Sequence, residues 1–202
     1  MKFHGEDYIY GISPNGDISH AYSDECADIY TWCANEGYVD VMYPQFYYGM
    51  LHGQCSIEFL MNRWSMVLKN EDIKLVPILT LHKAGTSDQW AVTETGKSEW
   101  QTHDDIILES LTYLLMNEYR IPDGMGFFCY QYFHGSSKTA AVSKELDNFM
   151  PLWLQYENLV GEDRSALAEA YTELGYNLKE LGDKWDERLS SVENGKPLFM
   201  IP

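Results

Sequence analysis

Four short apolar segments, each followed by residues at helical spacing, constrain what this chain can fold into. They are Tyr8–Ser13 (YIYGIS), Val39–Gln45 (VDVMYPQ), Ile73–Leu81 (IKLVPILTL) and Gly124–Tyr132 (GMGFFCYQY). Strands joined through an intervening helix run in the same direction, so this alternation predicts βα units and a parallel sheet. Helices are expected over about Ser23–Glu36, Ser56–Asn70 and His103–Tyr119. Ser23 is the expected N-cap of the first, and Gly37 its stop. The second carries Ile57, Leu60, Met61, Trp64 and Leu68 on one face. Pro77 counts against the third strand, because proline donates no ladder hydrogen bond, but its strongly apolar flanks keep the assignment.

The last quarter of the chain reads as helical, with a break near Gly161. Leu167, Tyr171, Leu174, Leu178, Leu181 and Trp185 fall at alternating spacings of three and four, a seam-like pattern. It fits a helix laid on the domain or a contact between copies.

A chain of 202 residues can bury one sizeable core. The formal net charge of −17 argues against nucleic acid and against anionic membrane surfaces, which both select basic patches. No apolar run approaches the roughly 20 residues that span a bilayer. The start, MKFHGEDYIYG, lacks the apolar stretch of a signal peptide. Cys26 and Cys33 stand seven apart in an expected helix, about 10 Å along its axis, too far for a disulfide. Without CxxC or Cys/His metal spacing, free thiols are expected and no metal site. P-loop, GxGxxG, GxSxG and HExxH patterns are also missing, so no cofactor is expected.

The succession GISPNGDISHAYSDECADIYTWCANEGYVDVMYPQFYYG, NRW, KLVPILTLHKAG and GFFCYQY resembles the C-terminal half of the glycosyl hydrolase-like 10 family, bacterial TIM-barrel proteins related to glycoside hydrolases. The likeness spans roughly residues 10 to 133. His82 stands where that family commonly has Tyr, and Gln131 where it usually has Ser. The acidic strand end that looks catalytic in the family would lie upstream of Tyr8, and Glu6 and Asp7 are too close to that strand to supply it.

The resemblance implies a partial TIM barrel of four βα units with parallel strands, over residues 1–135. A C-terminal helical extension, 136–202, would pack on it. It further implies a carbohydrate-active protein acting on a glycan, in an extracytoplasmic or secreted setting. A half-barrel leaves unpaired edges, so the missing strands would come from an absent N-terminal half, from a second copy or partner, or be replaced by capping C-terminal helices.

Barrel ligands bind at strand C-terminal ends. Those ends offer Ser13, Asn15 and Asp17; Gln45, Tyr47 and Tyr48; His82 and Lys83; and Tyr130 and Tyr132. Substrate-binding candidates are Asn15, Gln45, Tyr47, Tyr48, His82, Lys83 and Tyr130. The Gln45 amide can both donate to and accept from sugar hydroxyls, or be satisfied by neighbouring backbone. Tyr47 and Tyr48 can stack on a sugar ring, or be core. Trp90 and Trp100, in a long polar loop, are either stacking platforms or seals. The run His103–Asp105 fits helix capping better than a metal.

Glycosidases place two carboxylates roughly 5 to 10 Å apart across the scissile bond. No Asp or Glu stands directly on any of the four strand ends. The catalytic residues are therefore unassigned, and isolated hydrolysis is not expected. A non-catalytic glycan-binding or assembly module that dimerises is the alternative.

Overall fold

Pro77 decides the architecture. Lacking an N–H, it interrupts the third expected strand and divides it into β3 (Lys74–Leu75) and β4 (Ile78–Thr80). With β1 (Gly11–Ile12), β2 (Val41–Met42) and β5 (Gly126–Phe128), these form two small parallel sheets, ordered β1-β2-β3 and β4-β5. Isolated parallel pairings of Asn15 with Gln45, and of Gln45 with Ile78, lie between the strands. The structure is a computed structural model, and it describes residues 8–117, 120–154 and 172–173.

The expected partial TIM barrel of four βα units is therefore overturned. The strands are only two or three residues long, and the two sheets are open. The ladder restarts at Ile78 instead of running through residues 73 to 81. Seven helices surround the sheets among the described residues.

The helical expectations change in part. In place of one helix from Ser23, two short ones form, α1 (Ile18–Ser23) and α2 (Ile29–Ala34). Asp17 caps the first through the Ser19 N–H, and Asp28 caps the second through the Thr31 N–H. Cys26, at φ 56°, turns the chain between them. The helix α3 (Ile57–Val67) begins at Ser56 as expected, with its hydroxyl accepting from the Phe59 N–H. The polar loop after β4 contains α4 (Glu94–Thr102), capped by Thr93. Next come α5 (Ile106–Met116), the short α6 (Tyr130–His134) and α7 (Ala140–Trp153). The fourth expected strand thus stops at Phe128, and its last residues turn helical.

Met42, Phe46, Leu60, Met61, Trp64, Leu75 and Leu79 form a buried core between sheet and helices. The Trp64 indole donates to the Gly16 carbonyl at 2.8 Å, fixing α3 to the turn after β1. Two buried glutamate carboxyl groups act as backbone anchors. Glu99 on α4 accepts the N–H groups of Met50 and Leu51, both at 2.9 Å, and so holds the chain that leaves β2. Glu145 on α7 accepts from Ile106 at 3.2 Å and Ile107 at 3.0 Å, supplying the cap that Asp105 does not give α5. Phe149 of α7 stacks on Phe127 of β5, ring centres 4.9 Å apart.

All four cysteines are free, with Cys33 and Cys55 buried. Among the described residues no helix is long and apolar enough to cross a membrane. The seam residues Leu167, Tyr171, Leu174, Leu178, Leu181 and Trp185 lie outside the described residues.

Candidate functional site

Parallel strands deliver their following residues to one side of a sheet, and here β2, β4 and β5 deliver three rings. Tyr47 meets His82 edge-on at 5.6 Å between ring centres and lies 5.6 Å from Phe128 at a tilt. The rings of His82 and Phe128 are 6.0 Å apart and nearly perpendicular. Such offset and edge-to-face arrangements are the favoured ones for aromatic pairs. Phe128 remains 43% exposed, so the group presents an apolar surface to solvent.

Polar groups border these rings. The His82 Nδ1 pairs with the Thr80 hydroxyl, which also accepts the His82 backbone N–H at 3.2 Å. Burial and the neighbouring Lys83 ammonium lower the His82 pKa, so the imidazole is neutral at pH 7. Burial raises that of Tyr47, so its phenol keeps its proton and remains a donor. Gln45 is half-buried and donates from Nε2 to the Ser13 carbonyl at 3.0 Å. One N–H of the amide is thus spent on backbone.

A second, deeper cluster gathers around Tyr48. Its hydroxyl donates to Asn15 Oδ1 at 3.0 Å, and burial raises its pKa. The Lys83 ammonium lies 5.3 Å from the centre of the Tyr48 ring, a cation–π contact. That ammonium also pairs with Asp88 at 2.6 Å, where both side chains are largely withdrawn from water. The His52 ring meets Tyr48 edge-on at 4.9 Å. Its Nδ1 accepts the Cys55 N–H at 3.1 Å, which leaves the proton on Nε2. That Nε2–H is buried without a hydrogen-bond partner among the described residues. Burial lowers the His52 pKa, consistent with a neutral ring.

Five of the seven candidate binding residues thus fall into two groups. Tyr47 and His82 share the outer one, and Asn15, Tyr48 and Lys83 the inner, while the Gln45 amide bonds Ser13 just past β1. Tyr130 instead starts α6, is 76% exposed, and contacts His134 at 5.1 Å. Phe128 takes the strand-end place expected of it. Strand alternation puts residues 128 and 130 on one side, so an earlier end of the strand would have pointed to Phe128.

Asp88 and His52 were not foreseen. Asp88 stands five residues past Lys83, a separation that marks no partner in a loop. His52 lies among turn residues with no periodic pattern. Asp17 spends its carboxylate on the α1 cap. Trp100 is buried and seals its helix, whereas Trp90 is exposed. Comparison of the chain with family models, with curated proteins and with solved structures gives no match.

Proposed function

We propose that the strand-end face binds a neutral glycan and, with the described residues alone, does not cleave it. The observation that carries this reading is the ring group Tyr47, His82 and Phe128, partly open to solvent and carrying the Tyr47 hydroxyl. A pyranose offers a C–H face that packs on aromatic surface and a rim of hydroxyls that donate and accept. The likeness of the motif succession to glycosyl hydrolase-like 10 proteins supports the same ligand class. The net charge of −17 disfavours polyanionic sugars.

Cleavage requires two carboxylates that are free to move protons or attack. Near this face, Asp17 caps a helix, Asp88 is closed under Lys83, and Glu25 accepts from Asn15 at 3.3 Å and pairs with His20. Each already has a structural partner.

Titration calorimetry of the full chain with neutral oligosaccharides tests the reading. Binding is expected, without release of reducing sugar, and Tyr47→Ala and His82→Ala should each weaken it by about tenfold, the equivalent of roughly 1.4 kcal/mol. Failure to bind any neutral glycan would overturn it, as would hydrolysis that His82→Ala abolishes.

A further inference from the structure

Trp90 is 81% exposed, yet the chain on either side of it is fixed. Asp88 accepts the Trp90 N–H on Oδ1 at 3.2 Å, holds Lys83 on Oδ2, and accepts the Ala91 N–H on its carbonyl at 3.2 Å. The Asp88 N–H donates to the Lys97 carbonyl at 2.9 Å. On the other side, the Val92 N–H donates to the His52 carbonyl at 3.1 Å. A large indole in water is costly unless something covers it, and a slack loop would fold it down onto apolar surface. Here the backbone of the turn is clamped and the ring stands exposed.

Both clamps lead to one side chain. Lys83 and His52 each pack on the Tyr48 ring, and Lys83 directly follows His82 of the outer ring group. The ties therefore anchor the backbone of the Trp90 turn to the segments that follow β2 and β4. We infer that Trp90 is a second stacking platform of the same site. It meets a sugar unit beyond the one held by Tyr47, His82 and Phe128, so the ligand is an oligosaccharide of several units. This rests on the glycan reading above and adds its length. Tryptophan suits the role because its wide face covers a pyranose ring at little conformational cost.

Calorimetry with two-sugar and six-sugar members of the β-1,4-glucan, chitin and α-1,4-glucan series tests it on the full chain. Wild type should bind a six-sugar member more tightly than its two-sugar counterpart. Trp90→Ala should weaken the long ligand by about tenfold and leave the short one unchanged, with Trp90→Phe intermediate. The thermal midpoint should not move, since the ring is exposed. Unchanged affinity of Trp90→Ala for the long ligand overturns this inference alone, as does equal weakening of both lengths. Absence of wild-type binding in all three series overturns it together with the glycan reading.

Discussion

The Lys83 ammonium stands 2.6 Å from Asp88 Oδ2 and 5.3 Å above the centre of the Tyr48 ring, so one cation joins the loop after β4 to the face formed after β2. Its exposure is small and that of Asp88 is smaller still. A buried pair of this kind contributes little net energy as a whole but is costly to halve. Asp88→Ala should destabilise the fold by about 3 kcal/mol or more, because Lys83 is left charged and unpaired. The double variant Lys83→Met/Asp88→Leu should cost clearly less. Urea unfolding of the three proteins checks the order.

Glu145 gives a pH signature. Burial raises its pKa from the usual 4.5 to about 8, outweighing the two N–H groups it accepts. Between those values the folded chain holds a proton that the unfolded chain has released. Stability from this group is therefore complete below pH 4.5 and drains away as pH rises to about 8. His52 and His82, with lowered pKa values, act in the opposite sense, and their contribution is lost as pH falls below 6.5. Glu145→Gln should flatten the alkaline fall in thermal midpoint and keep the acid one. An unchanged profile would contradict the assignment.

Close backbone approach makes a sharp contrast between two glycines. A Cβ on Gly16 would overlap the Gln45 carbonyl, at the place where residues 15 and 45 pair. At Gly124 the nearest atom to such a Cβ is Val76 Cγ2 at 3.4 Å, ordinary contact. Gly16→Ala is expected to lose about 3 kcal/mol, and Gly124→Ala to be tolerated, by chemical denaturation.

Thiol chemistry should separate Cys26 from Cys33 and Cys55. Cys26 is exposed, whereas burial pushes the Cys33 and Cys55 thiols up to about 12. At pH 8 a thiol-specific reagent should label Cys26 first and reach Cys33 and Cys55 only after unfolding. Mass spectrometry of digested, labelled protein gives the order.

The periodic parts of this fold were legible in the residues. Ser56 starts α3, the apolar face from Ile57 to Trp64 is buried, and the parallel pairing follows from alternation. What the pattern hid was chiefly polar. Helix α4 lacks an apolar stripe and forms because Thr93 caps it and Glu99 bonds distant backbone. The split of α1 from α2 rests on two aspartate caps that a continuous helical spacing obscures. Pro77 was read as a blemish within one strand, yet the missing N–H divided two sheets. Within the site, Tyr47 and His82 were expected at successive strand ends, and their rings meet there. The Lys83–Asp88 pair and His52 were not, because their partners are set by loop geometry and not by period.

Between the two sheets the rung at Ile78 carries the coupling: its N–H reaches the Pro44 carbonyl, and its own carbonyl takes the Phe46 N–H, both at 2.9 Å. Tyr47 belongs to one side of that rung, His82 and Phe128 to the other. Any molecule seated across these three rings would therefore bridge the two sheets on either side of it. The amides of Ile78 and Phe46 would then report occupancy by slower exchange with deuterium, although neither touches the bound molecule.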